Sequence, residues 1–377
     1  MRVPLDYARD GVIVATGDGP ELLVWDARKD DPLWKHFGDG ILVGVGVNEE
    51  HLVTVDSDGR VEFFRRLDGA LQERHELGDG LIRALQVSEG ARVGVLGKDA
   101  IHVVQLQGLE RTIPVPDAVV LAFGPGGGSL GVGTAAGVFW AVDPASGGAW
   151  GTVDVGAAVR GVAWSPAGYW WVAAGDALIA VAGDGSAELR RFAVGEPVLG
   201  LAVSRDGVVA VVPHPSQRLS VWALAEGAAC GQVGFQRPVG DVRFGPGSWI
   251  AVGFDDGEVN RVDLLYNKVT LPDPHLGRRA SRWAVDAKVR PELLRGAIAK
   301  AAAGGAPLVT RVKHAWDIPR PKRQITIGDP DVPGCGCWQM AGCMLTLTII
   351  VLLFIGVITG YWWYFDGAGP LGDYLPF

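Results

Sequence analysis

Val159-Arg160-Gly161-Val162-Ala163-Trp164, then Ser165-Pro166-Ala167-Gly168, then Tyr169-Trp170-Trp171-Val172-Ala173: an apolar run, a tight turn and a second apolar run. Pro and Gly preset the dihedrals of a turn, while Val, Trp and Tyr suit a half-buried pleated surface, so the stretch predicts a β-hairpin. Two further runs, Leu178–Val181 and Ala187–Phe192, follow across Gly- and Asp-bearing turns and complete a unit of four short strands. The first turn recurs as Val87-Ser88-Glu89-Gly90, Phe123-Gly124-Pro125-Gly126, Val203-Ser204-Arg205-Asp206-Gly207 and Phe244-Gly245-Pro246-Gly247, with a weaker copy at Asn48 and a first one at Arg9-Asp10-Gly11. Turns at 48, 88, 124, 165, 204 and 245 lie 40, 36, 41, 39 and 41 residues apart. Such a period marks a repeat architecture. One four-stranded unit cannot bury both faces alone, but several packed radially can. The expectation is an all-β chain whose residues 1–271 form a seven-bladed β-propeller.

Trp164-Ser165-Pro166-Ala167-Gly168 is similar to the turn between the first two blade strands of the WD-repeat family. Val24-Trp25-Asp26 matches the dipeptide that names that family, and Val221-Trp222-Ala223 and Trp140-Ala141-Val142-Asp143 look like degraded copies. The resemblance covers roughly residues 1–271 and implies a propeller that binds proteins. No Gly-His dipeptide opens any repeat, so the family's His-centred hydrogen-bond network is expected to be absent. One repeat, Ala141-Val142-Asp143-Pro144-Ala145-Ser146-Gly147-Gly148-Ala149-Trp150, resembles instead the propellers of pyrroloquinoline-quinone enzymes. The last repeat is complete within Pro238–Leu271, which argues against closing the ring by strand exchange.

Charge divides the chain into blocks. Residues 1–271 hold 22 Lys/Arg against 34 Asp/Glu, a balance of −12; residues 272–323 stand at +8, and residues 324–377 at −4. Such asymmetry marks separate structural jobs. The organisation expected is a propeller at 1–271, a basic linker at 272–340, a membrane helix at 341–365 and a short tail at 366–377. Ala341–Tyr364 has 24 residues and no charge, with Trp338 before it and Tyr361, Trp362, Trp363 and Tyr364 at its far end. As a helix it would extend about 36 Å, enough to span with some tilt. Arg320, Lys322 and Arg323 precede it, whereas the tail carries only Asp366 and Asp373, which predicts a cytoplasmic propeller and an external C-terminus. Met1–Asp10 contains no apolar export signal. The Ala-, Gly- and Val-rich composition suggests a bacterial genome, and hence a bacterial inner membrane.

Three features of the later blocks bear on partners. Pro291 and Gly304 bracket a helix through Glu292–Ala303. In the basic linker, Arg278, Arg279, Arg282, Trp283, Arg295 and Lys300 mix cations with apolar anchors, as suits an anionic leaflet. Gly356 and Gly360 form a Gly-x-x-x-Gly pair that would let two membrane helices approach as a homodimer. Cys335, Cys337 and Cys343 flank the membrane entry, and juxtamembrane cysteines can be acylated or can cross-link neighbouring copies.

No pattern for catalysis, metal or cofactor is found. Gly124-Pro125-Gly126-Gly127-Gly128-Ser129 lacks the Gly-Lys-Ser/Thr ending of a phosphate loop. Asp56-Ser57-Asp58-Gly59 opens like a calcium loop but lacks its later ligands. The seven histidines are scattered, without a His-Glu-x-x-His pair. An acidic propeller also argues against nucleic acid as a partner. The turns between second and third strands share a face with the inter-blade turns. That face collects Asp18, Asp39, Asp56, Asp58, Asp79, Asp255 and Asp256, a complement for a basic protein partner. The function expected is a non-catalytic, membrane-tethered interaction scaffold. The alternative is a propeller enzyme or small-ligand sensor using the central channel.

Overall fold

The protein is described from a computed structural model that covers residues 4–8, 13–26, 32–78, 81–90, 92–245, 248–255, 259–265, 268–270 and 286–303. Its strands pair in order within separate sheets. Sheet one contains β1 (Leu5–Tyr7), β2 (Ile13–Asp18), β3 (Glu21–Asp26) and β4 (Pro32–Phe37). Sheet two contains β5 (Leu42–Val47), β6 (His51–Asp56), β7 (Arg60–Arg65) and β8 (Leu71–Glu76). Sheet three contains β9 (Ala84–Val87), β10 (Val93–Leu96), β11 (Ala100–Gln105) and β12 (Gly108–Pro114). Sheet four contains β13 (Ala118–Phe123), β14 (Leu130–Thr134), β15 (Val138–Val142) and β16 (Ala149–Asp154). Sheet five contains β17 (Val159–Ser165), β18 (Tyr169–Ala174), β19 (Ala177–Ala182) and β20 (Glu188–Ala193). Sheet six begins with β21 (Ala202–Val203), β22 (Val209–His214), β23 (Arg218–Ala223) and β24 (Ala228–Gly234). Sheet seven contains β25 (Val239–Phe244), β26 (Trp249–Phe254), β27 (Val259–Asp263) and β28 (Lys268–Thr270).

The expectation of like four-stranded units therefore holds for six of these sheets; sheet six carries a fifth strand, β29 (Asp286–Val289), paired antiparallel to β24. The added strand has a physical reason. Every other outer strand carries a charged residue, whereas β24 reads Ala228-Ala229-Cys230-Gly231-Gln232-Val233-Gly234. Charges on an edge discourage pairing, so β24 is the one outer strand left open to another strand. A helix, α1 (Pro291–Ala303), follows directly and packs Leu294 and Ala297 into the core beside Cys230 and Val233. Packing thus includes residues past 271, the boundary expected from charge, with Val289, Leu294 and Ala297 in the core cluster and Ile298 against it.

Each junction between neighbouring sheets holds its own apolar cluster. Leu22 and Val24 of sheet one meet Leu52 and Phe64 of sheet two, and Phe139 of sheet four meets Val159 and Trp170 of sheet five. Inner strands approach closely, which accounts for much of the glycine: a Cβ at Gly44 would run into Leu85, and one at Gly161 into Leu201. The ring closes where β1 meets β25. There the apolar cluster among the described residues shrinks to Leu5, Ala251 and Val259, and polar groups take over. Asp6 accepts the Val47 backbone N–H at 2.9 Å on one side and lies 3.9 Å from the Arg243 guanidinium on the other. Arg205 of sheet six also donates to the Ala8 carbonyl. Among the described residues closure uses no strand exchange, since the strands of sheets one and seven each pair within their own sheet.

The segment Ala341–Tyr364, Gly356 and Gly360 within it, and Cys335, Cys337 and Cys343 lie outside the described residues. Among the described residues no helix is long and apolar enough to cross a membrane.

Candidate partner-binding face

The turns between second and third strands and the loops between sheets lie on one face, stitched together by backbone hydrogen bonds. Leu42 N–H donates to Gly19 O, Ser57 to Ile41 O, Ala135 to Asp117 O, Val155 to Gly137 O, Val194 to Asp176 O and Phe235 to Gln217 O, all at 2.7–2.9 Å. The face is therefore held by the backbone, whatever side chains it carries.

The seven acidic residues expected on this face do not form one free patch. Asp56 is only 5% exposed and structural: its Oδ1 accepts the N–H groups of Asp58 and Arg60 at 3.0 and 2.9 Å, and Gly59 completes the turn with φ +82°. The calcium-like opening is thus an Asx turn, its first carboxylate consumed by its own backbone. Asp39 is exposed but shared among cations, with Arg60 at 3.3 Å and Arg74 at 3.9 Å. Arg60 also reaches Asp56 at 3.3 Å, and Arg74 pairs with the buried Glu62 at 2.6 Å. Asp58 and Asp255 stand exposed. Asp18 ends β2, and Asp79 and Asp256 lie outside the described residues.

Of the expected membrane-surface residues, Arg278, Arg279, Arg282 and Trp283 are outside the described residues. Arg295 and Lys300 fall on α1, and Arg295 is exposed beside Leu293. The quinoprotein-like segment is a turn on the opposite face. There Asp143 accepts the Ser146 hydroxyl at 2.7 Å and the Ala145 N–H at 2.9 Å, and that hydroxyl bond foremost holds its carboxyl below the usual range.

A His-centred network of another kind does exist, without a Gly-His dipeptide. In sheet six, Trp222 Nε1–H donates to Ser220 Oγ at 2.8 Å, Ser220 Oγ lies 2.7 Å from His214 Nε2, and His214 Nδ1 lies 3.0 Å from Pro197 O. A carbonyl can only accept, so the proton sits on Nδ1 and the Ser220 hydroxyl donates to Nε2. The polar side-chain groups of His214, Ser220 and Trp222 are then all satisfied. By contrast Trp25, in the Trp-Asp pair Trp25-Asp26, is buried with no acceptor for its indole N–H among the described residues. His214 ends β22, four residues before β23 begins, and it props the loop that joins sheets five and six.

Beside that loop lies a depression of about 230 Å³, lined by Ala158, Arg160, Gly175, Pro197, Val198 and Leu199. It is smaller than the roughly 300–1,000 Å³ of small-molecule pockets. Arg160 is placed there by a bulge: Val159 pairs with Ala174 and Gly161 with Ala173, which leaves Arg160 as the extra residue of β17. Among the described residues no cluster of three or more His, Cys, Asp or Glu could hold a metal ion.

No family model matches the chain, and no curated protein matches it. Solved structures do. The β-propeller domain of Cps50 (Swd1) from Myceliophteria thermophila superposes with a TM-score of 0.60 at 14% identity, over 70% of this chain and 96% of that one. A chain of the Mitotic Checkpoint Complex gives a TM-score of 0.60 at 17% identity, over 67% of this chain and 84% of that one. Identities this low speak for the fold alone: the chain has a WD40-like β-propeller fold.

Proposed function

We propose that the chain is a non-catalytic protein-interaction scaffold whose cytoplasmic, seven-bladed propeller is held at a membrane by Ala341–Tyr364. The observation that supports this most is the backbone-stitched face of turns and inter-sheet loops, a rigid platform whose side chains are free to vary. Swd1 and the Mitotic Checkpoint Complex have propellers of the same fold, which is consistent with a protein-binding role here. The −12 balance of residues 1–271 favours encounter with basic surfaces, steered through Asp58 and Asp255. Membrane attachment rests on the uncharged segment itself. It would confine the propeller to two dimensions and raise its effective concentration toward other membrane proteins, and the Gly356/Gly360 pair would allow two copies to associate.

The test is cross-linking of the full chain in its native membranes, followed by detergent extraction and mass spectrometry, with Asp58→Lys/Asp255→Lys as comparison. A scaffold should yield a reproducible protein partner whose recovery falls in that variant. Recovery of no partner, together with tight retention of a low-mass metabolite, overturns the reading in favour of a sensor or enzyme.

A further inference from the structure

We propose that the depression between sheets five and six receives an acidic side chain, flanked by aliphatic residues, from an extended segment of a protein partner. The proposal rests on the scaffold reading and names a recognition element within it.

Arg160 carries the argument. It is exposed, and it makes no hydrogen bond or ion pair with any described residue. Among the described residues most other arginines of the ring are engaged, such as Arg60 with Asp39 and Asp56, Arg92 with Glu110, Arg191 with Glu188 and Arg243 with Asp241; Arg218, at the start of β23, is a second exposed one without a side-chain partner. A propeller with twelve more acids than bases has left this cation without one. Its position is also particular. Sheets two, four and seven carry the same bulge on the inner strand, and their extra residues are Val43, Val119 and Gly240. The matching place in sheet three is Arg83, but its guanidinium donates to the Ala118 carbonyl at 3.3 Å. Among the described residues, the inner strand aims an unspent charge at the loop face only at sheet five, and bulges are a common device for re-aiming a side chain at a binding site.

The surroundings say what the charge would meet. Ala158, Gly175, Pro197, Val198 and Leu199 offer aliphatic surface and no second charge. The N–H groups at Val198 and Leu199 are spent, since Val198 N–H donates to Gly175 O and Leu199 N–H to Pro213 O, each at 2.8–2.9 Å. These N–H groups are not open to an added strand, and recognition falls to side chains. A volume of about 230 Å³ suits one or two side chains rather than a cofactor. A carboxylate over Arg160 with Leu or Val in the depression satisfies both features. The acidic field of the propeller does not forbid this, because exposed charges beyond roughly 8 Å are largely screened at physiological ionic strength.

The experiment uses the full chain in detergent micelles, fluorescently labelled, on an array of capped pentapeptides Gly-Leu-Z-Val-Gly with Z as Glu, Gln or Lys. Retention on the Glu peptide should exceed that on the Gln peptide by about 1.5- to five-fold, the range of an exposed ion pair. Arg160→Gln should erase the preference without lowering the melting temperature, because no contact within the fold is lost. Arg160→Glu should turn it toward Lys. Equal retention of the Glu and Gln peptides by wild type, or a Glu preference that survives Arg160→Gln, overturns the proposal. If Arg160→Glu still recovers the cross-linked partner in full, the scaffold stands and this site falls. If wild type recovers no partner, the scaffold reading itself has failed.

Discussion

Replacing Leu294 by Ala should loosen the β29–α1 strap and open Cys230 to reagent. Leu294 is 1% exposed and shares a cluster with Val289, Ala297, Cys230 and Val233. The strap is fastened further by the Arg290 N–H, which donates to Cys230 O at 2.8 Å, and by the Arg290 guanidinium, which donates to Ala229 O at 3.1 Å. Truncating a buried Leu costs about 2–5 kcal/mol, and a site at the margin of a core belongs at the lower end. About 2 kcal/mol corresponds to roughly a 30-fold rise in the open population. Cys230 reports it because burial, above all, pushes its thiol up from the ordinary value, so the closed form offers almost no reactive thiolate. Maleimide labelling of the full chain, resolved by peptide mass spectrometry to separate Cys230 from Cys335, Cys337 and Cys343, should then accelerate about 30-fold at constant pH. Leu293→Ala, on the exposed side of the same helix, should leave the rate unchanged. A Leu294→Ala rate equal to wild type, or a wild-type Cys230 that labels as fast as a denatured thiol, would refute the account of the strap.

The same thiol sets a pH dependence. Its folded pKa is raised, so its contribution to stability is fully present below the ordinary thiol value of about 8.5 and is lost as pH rises above it; Cys230→Ala should flatten the alkaline arm of a melting-temperature profile. His214→Ala strips partners from Pro197 O and Ser220 Oγ, and at about 1–3 kcal/mol for buried groups left unpaired it should lower the melting temperature by roughly 3–8 °C. Asp56→Ala should cost about 1–3 kcal/mol in thermal or chemical denaturation, whereas Asp255→Ala should stay within about 0.5 kcal/mol; equal effects would mean Asp56 does not hold its turn. For topology, a reporter active only outside the cytoplasm should work after Phe377 and fail before Met1, and the reverse pattern removes the cytoplasmic propeller.

What could be read in advance was the local part of the fold. The hairpins of sheet five were expected at Tyr169–Ala173 and Leu178–Val181 and are found at Tyr169–Ala174 and Ala177–Ala182, because Pro, Gly and alternating Val or Trp act over a few residues. The helix expected from Pro291 and Gly304 likewise stands at Pro291–Ala303. Asp56 and Asp255 occupy like turns, yet one is buried and the other exposed, which turn chemistry alone does not distinguish. The His214 network was hidden because its members come from β22, β23 and an inter-sheet loop, and only the fold brings Pro197 within reach.

The strap and Arg160 were harder for a common reason: each is defined by what its neighbours lack. Asp286-Ala287-Lys288-Val289 is four residues inside a basic stretch, too short to declare a strand, and its partner lies more than fifty residues upstream. The sign was on the partner. An outer strand without a charge, among outer strands that all carry one, is an edge left unguarded, and such an edge in a stable fold is either covered or used. Arg160 follows the same logic with the sign reversed. Between Val159 and Gly161 it interrupts an apolar inner strand, where a charge costs solvation unless the backbone turns it outward, and the bulge does so. A residue that breaks its strand's pattern, is re-aimed by the backbone to a loop face and is given no counter-ion there contributes nothing evident to the ring's stability. Its place is better explained by what approaches the face from outside.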